Sequence, residues 1–266
     1  VGFAVSSDTT LGSVIRAEWI KFRSVRSSLW CVAITFILTV GLGILVTTVV
    51  RVQWHKMSAI NKLTFDPVQT SLVGIVFAQF AVGVIGSLFI TSEYSTGSIR
   101  TTLAAVPNRI QLIAGKLIVL VSCMLVVGEV VSFGAFFIGQ SIYSGVVPTA
   151  SLSNGAVLRT VIFAGLYLTL LAAFSFALGI LIRHSLAAIS IFVSILLILP
   201  LIIAFLPQSW QNDTIRFLPG EGLGHAMTSV QPGANLFSPW ASFGILALYV
   251  VVLLTAATSS FRRRDA

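Results

Sequence analysis

Apolar residues along the chain gather in six long runs, and polar residues are largely confined to the stretches between them. The runs cover residues 29–50, 71–91, 117–139, 160–182, 186–206 and 239–258. Each is close to the ~20 residues that a helix needs to cross the hydrocarbon core of a bilayer. Lipid offers backbone amides no partner, so a crossing segment must satisfy them within itself. The two-residue alternation of a membrane β-barrel is absent, which leaves helices. The pattern predicts an all-α integral membrane protein with three parts. These are an N-terminal amphipathic segment over 1–28, a domain of six transmembrane helices over 29–258, and a basic tail over 259–266.

Shorter patterns fill the gaps. Leu11, Val14, Ile15, Trp19, Phe22 and Val25 recur at helical spacing among Arg16, Lys21, Arg23 and Arg26. This predicts a helix lying along the inner membrane surface, the alternative being an ordinary basic flank that happens to be helical. In the connection 92–116, Ile99, Leu103 and Val106 stand at i, i+4 and i+7 before Pro107 stops the helix. Such a short amphipathic helix either docks on a surface or lies on the membrane. Its neighbours Glu93, Tyr94, Arg100 and Arg109 are of the kind found at a polar interface rim. The connection 207–238 is too long for a simple link, and its Trp210, Phe217, Leu218, Gly220, Gly222 and Gly224 suggest short re-entrant pieces.

Small residues form stripes within the runs: Gly128, Ser132, Ala135 and Gly139 in the third, and Gly165, Thr169, Ala172, Ser175 and Gly179 in the fourth. Gln79, Gly83 and Gly86 continue the theme in the second. Stripes of this kind let helices approach closely where lipid supplies no hydrophobic drive. Pro200, inside the fifth run, predicts a bend.

Composition agrees: 56% of residues are hydrophobic, 9% are charged, and the mean hydropathy is +1.01, whereas a soluble domain carries about 25% charge. The net charge of +8 is read through its distribution. Eleven Lys and Arg flank the runs on one side and five on the other, which places both termini and the second and fourth connections in the cytoplasm. The basic residues therefore set orientation in the cytoplasmic (inner) membrane and imply lipid contact, with no nucleic-acid partner. The first run follows a basic segment, as a secretory signal does. It is too long for one, and Arg51 and Lys56 follow it in place of a small-residue cleavage site, so it reads as a retained span. Cys31 and Cys123 both fall within spans and support neither a disulfide framework nor a metal cluster.

Catalytic signatures are missing. Gly115-Lys116 has Ile110 where a phosphate loop needs its first glycine and Leu117 where it needs a hydroxyl. His55, His184 and His225 lie in separate connections, and no nucleophile elbow is present. No catalytic, cofactor-binding or metal-binding residue is expected, so the chain is not predicted to be an enzyme by itself. The ionisable group deepest in a run is Glu129, which costs about 2.5–3.5 kcal/mol to insert at mid-membrane. It could bind a cationic substrate, carry a proton, or bond a neighbouring helix, and Gln79 is a candidate partner.

Several strings carry a resemblance: RAEWIKFRS from Arg16 to Ser24, FDPV from Phe65 to Val68, TSEYSTGSIR from Thr91 to Arg100, LAAVP from Leu103 to Pro107, and RRRDA from Arg262 to Ala266. Together they resemble the permeases of type-2 ATP-binding-cassette (ABC) exporters, especially actinobacterial ones. The resemblance implies that Glu93, Tyr94, Gly97, Ile99, Arg100, Leu103 and Pro107 form a coupling helix that engages a separate ABC ATPase subunit, present in two copies. ATP and Mg are then cofactors of that partner and not of this chain. It also implies a second permease subunit, identical or paralogous, an interfacial N-terminal helix, and alternating access for an amphipathic cargo such as an antibiotic, a peptide or a lipid. Two readings of other classes stay open: an ion-coupled carrier using Glu129, and a membrane sensor or scaffold that transports nothing.

Overall fold

Thr10 opens the first helix, its hydroxyl accepting the Ser13 amide at 3.3 Å, and α1 (Leu11–Ser24) runs until Val25 turns extended. The computed structural model describes residues 10–106 and 108–263; the start of the N-terminal segment, Pro107 and the end of the basic tail lie outside them. Beyond α1 come α2 (Arg26–Phe36), a π-helical turn (Ile37–Gly41) and α3 (Leu42–Gln53), which together make the first span. Two short helices follow, α4 (Ala59–Leu63) and α5 (Pro67–Ser71). Asp66 caps α5 by accepting the Val68 and Gln69 amides at 2.8 and 3.1 Å, while Pro67 supplies the fixed φ suited to a first turn.

The second and third spans are α6 (Ile75–Ser95) and α8 (Arg109–Tyr143), with α7 (Ile99–Ala105) between them; α9 (Gly155–Ile182) is the fourth. The fifth span runs through α10 (Ser185–Val193), a π-helical turn (Ser194–Ile198) and α11 (Leu199–Ile203). That widened turn ends two residues before Pro200, the residue at which the sequence predicts a bend. Then follow α12 (Gln208–Ile215), a π-helical turn (Pro219–Gly224), α13 (His225–Met227) and the sixth span, α14 (Pro239–Arg263).

Among the described residues there is no strand, and six helices are long and apolar enough to cross a membrane: Leu29–Lys56, Ile75–Ser95, Arg109–Tyr143, Gly155–Ile182, Ser185–Ile203 and Pro239–Phe261. The chain is an all-α, six-span membrane protein. Several helix boundaries differ from the hydropathy runs, and those around the second connection matter most. The second helix continues to Ser95 and the third begins at Arg109, so most of the predicted connection 92–116 is helix. A 35-residue helix is ~52 Å long, well beyond a ~30 Å hydrocarbon core. Hydropathy marks where lipid ends, whereas a helix keeps its own backbone bonds past that point.

α9 is the axis of the bundle. It is hydrophobic all round, and 83% of its most apolar window is buried, against 22% for the first, fifth and sixth spans. α6, α8 and α14 all pack on it. The small-residue stripes are where this happens: a Cβ on Gly128 would lie 2.6 Å from the Gly165 carbonyl oxygen, so α8 and α9 cross almost backbone to backbone. Along the α6–α9 contact, the Ser87 and Ser175 hydroxyls pair at 2.6 Å, and Ser175 also donates to the Gly83 carbonyl at 2.6 Å. The first and fifth spans instead present large apolar side chains outward, among them Ile37, Val52, Leu201 and Ile202, as a lipid-facing surface requires.

Between the fifth and sixth spans the chain folds back into the bundle. Leu218, Leu223, Ala226 and Met227 are all buried, and the segment touches α9 and α14. The connection thus consists of short helical pieces, packed on the bundle.

Candidate functional site

Val14, Glu18 and Phe22 follow one another at four-residue intervals on the buried face of α1. A helix that puts a glutamate in its apolar stripe needs a cation opposite, and α8 supplies one. Lys116, completely buried, donates to Glu18 Oε2 at 2.7 Å and to Glu93 Oε1 at 2.7 Å, with its Nζ 5.3 Å from the centre of the Phe89 ring. Lys21 closes the cluster from the half-exposed side, 2.6 Å from Glu93 and 3.3 Å from Glu18. Two carboxylates and two ammonium groups therefore join α1 to the end of α6 and the beginning of α8. Burial alone lowers the affinity of the Lys21 amine for its proton. The hydrogen bond to Glu93 and the charges of Glu18 and Glu93 outweigh that and hold its pKa above the ordinary lysine range.

This arrangement revises two expectations. α1 does not merely lie along a membrane: Val14 packs against Gly115, and Phe22 meets Phe89 edge to face at 5.6 Å, while Leu11, Trp19, Ile20 and Val25 stay exposed. Glu93 is no rim residue, because it is only 4% exposed and its carboxylate turns inward to the two lysines. Glu18 and Lys116 are not among the site residues expected from the sequence. The signal for Glu18 was its place four residues from both Val14 and Phe22.

Next to the cluster, α7 forms the amphipathic helix read from the sequence. Ile99 is buried, and Leu103 and Val106 are packed against the same core. The surface on which α7 docks its apolar face is thus this chain's own bundle. Arg100, Thr101, Ala104 and Ala105 are exposed. Gly97, with φ of +70°, makes the left-handed turn that separates α6 from α7, a conformation that favours glycine. Pro107 lies outside the described residues. The Tyr94 ring carries the Arg183 guanidinium at 5.5 Å, and Arg109 donates to the Phe261 carbonyl at 2.9 Å, so the ends of α6, α8, α9 and α14 meet here too.

The two intramembrane polar candidates do not come together. The Tyr167 hydroxyl donates to Gln79 Oε1 at 2.5 Å, both being buried between α6 and α9. Glu129 sits at the close crossing of α8 and α9, where a Cβ on Gly165 would lie 2.6 Å from its Oε1, and its Oε2 is buried without a hydrogen-bond partner. Among the described residues no group of three or more His, Cys, Asp or Glu could hold a metal ion.

Fold and site together define a multi-pass helical membrane protein whose second and third spans are tied to α1 by an internal ion cluster at one end. Residues 31–266 match the family described as protein of unknown function (DUF2705), and the chain belongs to that family. No curated protein matches it.

Proposed function

We propose that this chain is the transmembrane subunit of an ATP-driven exporter of the ABC type, with α1, α7 and the ion cluster at its cytoplasmic end. One observation carries the reading: α7 bridges two spans whose terminal charges, Glu93 and Lys116, are both pinned to α1, and it leaves Arg100 exposed. A partner pushing on α1 or α7 acts on both spans at once, because the buried pairs leave little slack between them. The ATPase supplies the work through the different affinities of its two conformations for ATP, and two permease halves open alternately to the two sides. The excess of Lys and Arg at this end supports its cytoplasmic placement.

The test is capture of a span-less ABC ATPase by the tagged protein, with Arg100→Glu as the probe. Capture and ATPase stimulation fall at least about tenfold if Arg100 meets an acidic surface at the contact. Undiminished capture by the variant removes α7 from the interface. Transport by the purified chain without any ATPase, abolished by Glu129→Gln, replaces the exporter with an ion-coupled carrier.

A further inference from the structure

At the end of the bundle away from α1, α6, α9 and the folded-back segment enclose a cavity of about 330 Å³. One wall is apolar, made by Leu72, Ile75 and Val76. The floor is the Tyr167–Gln79 hydrogen bond, held in place because both side chains are buried. The opposite wall is the π-helical turn Pro219–Gly224, which brings Glu221 and, one turn on, His225 to the cavity's edge. The volume lies within the range of small-ligand sites, and an apolar wall with a few convergent polar groups is their usual lining.

Glu221 is the acid of this lining, and no ion pair engages it among the described residues. The neighbouring cations are committed elsewhere. Arg216 pairs with Asp213 at 3.3 Å and lies over the Phe217 and Phe237 rings, and Arg159 donates to the Ser229 and Val230 carbonyls at 3.3 and 2.9 Å. A carboxylate at the edge of an apolar cavity focuses its field into it.

We propose that this cavity is a binding site for a small amphipathic organic cation, an ammonium head group facing Glu221 and an apolar body lying on Leu72, Ile75 and Val76. The site stands whether or not an ATPase docks at the other end, since neither wall includes α1, α7 or the ion cluster.

Equilibrium dialysis of the purified full chain in detergent against benzyltrimethylammonium, with protein-free micelles as blank, tests it. The wild type binds the cation saturably, and Glu221→Gln weakens binding about tenfold or more. Val76→Trp fills the cavity from a residue that is 53% exposed, so the fold survives and binding is lost. Asp66→Asn, which removes an acid outside the cavity lining while keeping the oxygen that caps α5, leaves binding unchanged. Absence of saturable binding to the wild type overturns the proposal. So does equal loss in Asp66→Asn, which reduces the effect to general surface charge, or full binding by Val76→Trp, which moves the ligand out of the cavity. Melting temperatures within a few degrees of wild type confirm that each variant is folded.

Discussion

Glu93 and Glu129 are both carboxylates on long apolar helices, and their surroundings are opposite. Glu93 receives two lysines, one of them wholly buried, and shares them with Glu18. Glu129 lies against a glycine backbone, and no ion pair engages it among the described residues, although each of the two carboxylates keeps one buried oxygen, Oε2, without a hydrogen-bond partner. The first is a junction of three helices held by charge, and the second is a carboxyl placed where two helices are held by shape. What a charge does within such a bundle is therefore decided by what crosses in front of it, and depth along its own helix says little. Breaking a buried pair leaves an unpaired charge, whereas removing a charge that has no partner leaves nothing behind.

The sharpest test of that contrast is Lys116→Met. It leaves Glu18 and Glu93 facing each other with only the half-exposed Lys21 to compensate, and stability in detergent should fall by about 3–5 kcal/mol, read from denaturant or thermal unfolding. Adding Glu18→Gln and Glu93→Gln to Lys116→Met should recover most of the loss, since no buried charge then remains unpaired. A triple variant as unstable as the single one would mean that the junction is held by Lys116 packing and not by charge.

A smaller effect is expected from Lys21→Met. The Lys21 side chain is 41% exposed, so screening limits the cost to about 1 kcal/mol or less. Its pKa is raised in the folded protein, so the contribution is fully present below the ordinary lysine value of about 10.4 and is lost as pH rises through the raised folded value. The stability difference between wild type and Lys21→Met should hold constant across neutral pH and close only in strong alkali. The least change is expected from Glu129→Gln, less than about 1 kcal/mol. A loss comparable to that of Lys116→Met would erase the contrast by revealing a partner for Glu129.

Much of this architecture is legible along the chain, and the part that is not has a common cause. The stripe from Gly128 to Gly139 and the one from Gly165 to Gly179 mark where α8 and α9 approach, because close backbone contact demands small side chains whatever the partner. Ile99, Leu103 and Val106 mark α7 by the same local logic of period. Pro200 marks the irregular turn of the fifth span. The candidate site is read less well: Glu93 has the wrong environment, Glu18 and Lys116 are missed, and Gln79 is matched with Glu129 when its partner is Tyr167.

The number of spans, their helical nature and the amphipathic α7 follow from sequence alone, because each rests on a free energy summed over neighbouring residues: transfer to lipid, backbone bonding, helical period. The ion cluster, the Tyr167–Gln79 bond and the cavity floored by that bond required the tertiary structure. Lys116 and Glu18 are 98 residues apart and Gln79 and Tyr167 are 88 apart. Which polar groups meet depends on the order and rotation of helices around α9, and hydropathy, which averages over position on the helix, carries no record of either.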